Sequence, residues 1–99
     1  MLKACTTIMT ESQLTRAVIK MLRREYPDIW FYKVNDRFTA GIPDILMCIE
    51  GHLHAIELKV GNNKPTRLQQ YVINKINASG GRAMVCRSID EVRRFIERR

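Results

Sequence analysis

Asp44, Glu57 and Lys59 are the residues of this sequence whose types and spacing suggest chemistry. Asp44 opens an apolar run, Asp44 to Glu50, while Glu57 and Lys59 lie in a second one, Leu53 to Val60. Gly51-His52 between them reads as a tight hairpin turn. With that turn Glu50 opposes Leu53, and counting back sets Asp44 against Lys59. Opposed residues share a face and side chains alternate along a strand, so Asp44, Glu57 and Lys59 fall on one side of the sheet, Glu57 a diagonal step from Asp44. Two carboxylates and an ammonium on a surface that helices must cover are costly unless they serve one another or a cation. A structural salt bridge from Lys59 satisfies one carboxylate and leaves the other over. A divalent cation such as Mg²⁺ takes a few hard carboxylate oxygens and retains waters, which two acids at this separation can supply.

Two more polar residues fall where apolar ones belong. At about 100° per residue, Leu14, Ala17, Val18, Met21 and Leu22 form the apolar stripe of a first helix, and Glu11 lies within it. A glutamate there also suits the positive end of the helix dipole. In a later helix Leu68, Val72, Ile73 and Ile76 form the stripe, with Gln69 at its centre. Gln69 can equally complete a capping box with Thr66, so inward-facing and capping roles both stand.

The elements that position these residues are short and clearly punctuated. Thr10 and Gln13 form a capping box for a helix running to about Glu25, before Tyr26-Pro27. Ile29 to Val34 is aromatic and β-branched, a strand. Asn35 to Pro43 is a loop, followed by the strands Asp44 to Glu50 and Leu53 to Val60. After the polar loop Gly61 to Pro65, the helix capped by Thr66 ends at Gly80-Gly81. Arg82 to Arg87 is a fourth strand, and Ser88 with Glu91 caps a last helix, Ile89 to about Arg98. The order is α-β-β-β-α-β-α, an α/β fold with a mixed four-stranded sheet flanked by helices. Residues 1–99 are expected to form a single domain, because 45% hydrophobic content over 99 residues closes one small core. Trp30, Phe31 and Tyr32 are assigned to core or interface, His52 and His54 to the surface beside the turn.

Seventeen Lys and Arg against ten Asp and Glu leave a net charge of +7, which points to a polyanionic partner. No apolar run approaches the roughly 18–20 residues of a membrane span, and Met1 to Thr10 has no sustained apolar core of a secretory signal. Cys5, Cys48 and Cys86 are too widely spaced for a zinc knuckle, which suits a reducing cytoplasm. Cys48 and Cys86 sit in apolar runs and read as small buried hydrophobes. Arg16, Lys20, Arg23 and Arg24 form a cationic ridge opposite the apolar stripe of the first helix. Arg37, before Asp44, and Lys64 and Arg67, before Gln69, are better placed for phosphate contacts near the site, whereas the tail, Arg93, Arg94, Arg98 and Arg99, grips backbone or solubilises the end. No aromatics interleave with these positions, which favours backbone and shape recognition over base readout.

The string Gly41-Ile42-Pro43-Asp44, followed thirteen residues after Asp44 by Glu57-Leu58-Lys59, resembles the P-D…(D/E)-x-K signature of the restriction-endonuclease-like nucleases. With Leu68-Gln69 about ten residues on, the wording is similar to the VRR-NUC (virus-type replication-repair nuclease) family, in its minimal free-standing phage and bacterial form. The resemblance runs from Glu11 to the last helix, and the element order is that superfamily's core. At Thr66-Arg67 the chain departs from the many relatives that carry Ser-Pro.

The resemblance implies that Asp44 and Glu57 bind Mg²⁺, for which Mn²⁺ substitutes, joined by the carbonyl of Leu58 and by Glu11, often through water. It implies that Lys59 orients or deprotonates the attacking water and that Gln69 supports the water or the lysine. The expected activity is metal-dependent, structure-selective DNA endonucleolysis on a four-way (Holliday) junction. One site per chain makes symmetric cutting the work of a homodimer, with an apolar patch between copies from Ile8, Met9 and the first strand. The alternatives are a flap or duplex nuclease of the same fold, or a non-catalytic nucleic-acid-binding module. The expected setting is the cytoplasm of a bacterial or phage-infected cell.

Overall fold

The structure is a computed structural model that describes residues 9–35 and 38–98. Its elements are α1 (Glu11–Glu25), β1 (Trp30–Lys33), β2 (Ile45–Ile49), β3 (His52–Leu58), α2 (Arg67–Ala78), β4 (Arg82–Cys86) and α3 (Ile89–Glu97). This is the expected order. Each helix starts where a side chain satisfies backbone donors that the first turn leaves open. Thr10 and Gln13 exchange hydrogen bonds with each other's backbone N–H groups, and Thr66 and Gln69 repeat the arrangement. At α3, Ser88 accepts from the N–H of Glu91, but the Glu91 carboxylate reaches one residue further back, to the N–H of Arg87.

The sheet order is β1-β2-β3-β4. The first three strands are antiparallel, and β4 runs parallel to β3 because α2 carries the chain back across the sheet. The β2–β3 turn is Glu50-Gly51, one residue earlier than the expected Gly51-His52. Both turn residues have positive φ, 53° and 81°, as a type I′ turn requires, and glycine in its second position is the favoured arrangement. Ile49 therefore pairs with His52 and Ile45 with Ile56. The expected pairing moves by two residues, so which side chains share a face is preserved. The place opposite Asp44, however, passes from Lys59 to Glu57.

The two sheet faces are unequally covered. α1 and α3 bury one of them in the main core, built on Leu14, Val18, Leu22, Ile45, Met47, Ile56, Leu58, Val92 and Ile96. On the other, Ile73 of α2 packs on Ala55 and Ala83 with half-buried Leu46, Ile76 and Val85 around them. The α2 stripe is narrower than its sequence suggests: Leu68 is 47% exposed, while the helix packs mainly on β4 through Ile73.

Two other expectations are corrected. His54 is buried: it pairs with Met47 on the main-core face, where the Phe95 ring meets it edge-on at 5.6 Å. Of the two cysteines in apolar runs only Cys86 is buried, its thiol pushed up to about 12 by desolvation, whereas Cys48 faces solvent on β2. Of the three aromatics assigned to core or interface, Phe31 packs against the core and Trp30 and Tyr32 are exposed. In the basic tail, Arg93 is occupied within the fold, bonded through two nitrogens to Glu25 and through a third to Asp90, which ties α3 to the end of α1. Tyr26 adds to that junction by donating to Glu97. Among the described residues no helix is long and apolar enough to cross a membrane.

Candidate active site

Asp44 is delivered by a loop held at both sides. Gly41 has φ +86°, a conformation that side-chain-bearing residues rarely adopt, and a Cβ there would meet the Leu68 side chain at 2.8 Å and the Leu68 carbonyl oxygen at 2.9 Å. The loop therefore lies directly against the first turn of α2. Pro43 is fully buried, and on the opposite side the Val34 N–H donates to the Asp44 carbonyl at 2.9 Å, extending the β1–β2 ladder past its last paired residues. The Asp44 carboxylate then crosses to β3, where Oδ2 accepts from the Leu58 N–H at 2.8 Å. The true register explains this contact, since it sets Asp44 against Glu57, the neighbour of Leu58.

Glu57 lies at the C-terminal end of β3 and is 2% exposed. Its Oε2 sits 3.4 Å from Lys59 Nζ, and the Lys59 backbone N–H donates to Cys86, carrying the parallel ladder one residue beyond the strand. Its Oε1 is buried and has no hydrogen-bond partner among the described residues. Burial, then the nearby Asp44 charge, push the Glu57 carboxyl from its ordinary 4.5 up to about 7, and Lys59 offsets only part of this. The Glu11 charge, from the first turn of α1, adds a smaller push in the same direction. Asp44, Glu57 and Lys59 thus meet at one end of the sheet, brought from the start of β2 and the end of β3.

Among the described residues no three His, Cys, Asp or Glu side chains are grouped as a ready metal cage. What the site offers is a pair of acids, with the charge of a third, Glu11, felt at Glu57. That donor set suits a hard dication that keeps much of its water. A buried carboxylate oxygen without a donor, on an acid whose charge burial and Asp44 both oppose, is the feature a cation would relieve.

Gln69 is placed differently. Its side-chain oxygen accepts from the Thr66 N–H at 2.8 Å, and no hydrogen bond joins it to Asp44, Glu57 or Lys59 among the described residues. Of the roles open to it, the capping one is what the geometry uses. Lys64 and Arg67 are exposed on the approach to α2, and Arg37 lies outside the described residues, as does Ile8. Two features escaped sequence reasoning. The Leu58 N–H that anchors Asp44 carries no sequence signal. The contact of Gly41 with Leu68 was signalled only by a glycine just before Ile-Pro-Asp.

A four-stranded mixed sheet thus carries two acids and a lysine at one of its ends. Among solved structures, one titled "VRR_NUC domain protein" superposes with a TM-score of 0.79 at 22% identity, covering 94% of this chain and 89% of that one. Another, titled "VRR_NUC domain", gives 0.70 at 24% identity, covering 88% and 94%. The chain has the VRR-NUC fold. No protein-family model matches it, and no curated protein matches it by sequence.

Proposed function

We propose that this protein is a metal-dependent DNA endonuclease of the VRR-NUC kind. The observation that carries the proposal is the buried Glu57 Oε1, without a donor beside Asp44 and Lys59 at the end of β3. Asp44 and Glu57 would hold Mg²⁺ or Mn²⁺ directly, with the Leu58 carbonyl joining them and Glu11 contributing through water. A dication held there would supply a nucleophile at neutral pH and offset charge on the scissile phosphate. Lys59, tethered to Glu57, keeps a positive charge where the attacking water and the phosphate meet, orienting the one and stabilising the charge that builds on the other. Gln69 is a positioning residue: it caps α2, whose first turn supports the loop that carries Asp44.

Lys64, Arg67 and Arg37 bind phosphates of the substrate on the loops around the site. Residues 1–99 act as one domain with one active site, so a four-way junction is cut symmetrically by two copies. The free thiols of Cys48 and Cys86 suit the reducing cytoplasm of a bacterial or phage-infected cell.

The test is incubation of labelled duplex, flap and four-way junction with Mg²⁺, Mn²⁺ or Ca²⁺, alongside Asp44→Ala and Lys59→Ala. Cleavage of branched DNA by the wild type and by neither variant is expected. Binding without cleavage under Mg²⁺ and Mn²⁺ would overturn the enzymatic reading. Cleavage that survives both substitutions would overturn the site. Light scattering tests the dimer.

A further inference from the structure

The strand register extends the candidate site along an open face of the sheet. Val34 lies against Asp44, Tyr32 pairs with Leu46 and Trp30 with Cys48. Opposed residues share a face, so Tyr32 and Trp30 stand on the same side as Asp44 and Glu57, one and two strand steps away, about 7 and 14 Å at the usual rise. Nothing in the fold covers them: Trp30 is 61% and Tyr32 52% exposed, and their rings lie within 6° of parallel with centroids 6.3 Å apart. Large aromatics normally supply core area, so two held parallel in solvent require an occupant.

The surroundings of the pair decide its chemistry. Trp30 and Tyr32 stand on the Asp44 side of the edge strand, and the groove of about 670 Å³ that they line wraps around that edge to Ile19, Arg23 and Lys33 on the α1 side, where Lys33 pairs with Ile45 and Arg23 lies over the Phe31 ring; Asp28 is its one acid. Ile19 and Arg23 also line the adjoining surface of α1 that carries Arg16 and Lys20. Neither Arg16, Lys20 nor Arg23 forms an ion pair among the described residues. An isologous contact with a second copy would bring these cations toward their own counterparts. A polyanion is attracted by them, and one with bare bases also has faces to stack. Cations that follow a backbone beside aromatic platforms are the combination that binds single-stranded nucleic acid without base readout.

We infer that an unpaired DNA strand wraps around the β1 edge, its bases stacked on Tyr32 and Trp30 on one side and its phosphates on Arg23, Lys33 and the α1 ridge on the other, so that cleavage falls next to a single-stranded segment. This deepens the nuclease reading and rests on it for the word cleavage; the binding itself does not depend on it. Substrates whose strands are unpaired beside the scissile phosphate, such as flaps and open branch points, are preferred over continuous duplex.

Trp30 is the only tryptophan in the chain, so its emission reports on this surface directly. Without added metal, titration of the wild-type protein with a twelve-nucleotide oligo(dT) quenches that emission, and the matching duplex does so much less. By anisotropy of the labelled oligonucleotide, Trp30→Ala and Tyr32→Ala each weaken binding by roughly 5- to 150-fold, the value of one base–aromatic stack, while Trp30→Phe retains most of it. Circular dichroism confirms that the variants fold. In Mg²⁺ the alanine variants lose the preference for a flap over a duplex and still cut duplex.

Unchanged Trp30 emission on adding oligo(dT), or unchanged oligonucleotide affinity in both alanine variants, overturns the inference. So does a halved mass of Trp30→Ala in light scattering, which would assign the surface to a second copy. Failure of the nuclease reading looks different: quenching and its loss in the variants persist while no DNA is cut.

Discussion

Replacing Glu57 by glutamine should make the metal-free protein more stable while abolishing cleavage. The carboxyl of Glu57 is held at about 7 against an ordinary 4.5, with desolvation the main cause and the Asp44 charge the second. Between those pH values the folded chain binds the proton more tightly than the unfolded one. Stability contributed by the protonated carboxyl is therefore complete below about pH 4.5 and declines as pH rises to about 7. At 1.36 kcal/mol per pH unit, the difference between about 7 and 4.5 amounts to about 3 kcal/mol. Glutamine imitates the protonated acid at every pH and leaves that decline out. In EDTA, urea unfolding at pH 8 should show Glu57→Gln more stable than wild type by up to about 3 kcal/mol, with the two converging near pH 4.5. All other groups are common to both proteins, so the difference between the curves isolates residue 57. Adding Mg²⁺ at pH 8 should stabilise the wild type by mass action and leave the variant unchanged. A variant no more stable than wild type at pH 8, or a difference that does not vary with pH, would refute the account of Glu57 as an acid strained by burial and by Asp44.

Asp44→Asn keeps an oxygen for the Leu58 N–H but removes the neighbouring charge, so the wild-type pH-dependent loss of stability should shift to lower pH while cleavage disappears; matched urea titrations read the shift. Asp44→Ala also strands that N–H and should cost about 1–3 kcal/mol relative to asparagine. Lys59→Met removes the cation 3.4 Å from Glu57 and should move the same transition to higher pH, with cleavage lost. Gly41→Ala must place a Cβ within 3 Å of Leu68 at a positive φ, and should lower stability by about 1–3 kcal/mol and reduce cleavage by displacing Asp44; an unchanged melting temperature with full activity would contradict the support assigned to α2.

The parts legible in the sequence were those governed by neighbours in the chain. Capping boxes at Thr10 and Thr66 and the break at Tyr26-Pro27 act within a few residues, so helix starts and element order follow from local chemistry. The shared face of Asp44 and Glu57 was also readable, since alternation along a strand tolerates a two-residue shift in pairing. The pairing itself was not, because it depends on whether Glu50 accepts a positive φ, and φ preference differs little between neighbouring turns. His54 and Cys48 were misplaced for a related reason. Their residue types fit either face, and only the register and the reach of α2 and α3 decide which is covered.

By itself, then, the sequence determined the inventory of the site: acids, a lysine and a glycine-proline loop at spacings that alternation and capping convert into positions. Tertiary structure decided what those groups experience. Burial beside Asp44 makes Glu57 an acid near neutrality, the Leu58 amide aims Asp44, and Trp30 and Tyr32 are left open beside the site. These depend on what covers a residue and what charge stands near it, and both are set by segments far away in the chain.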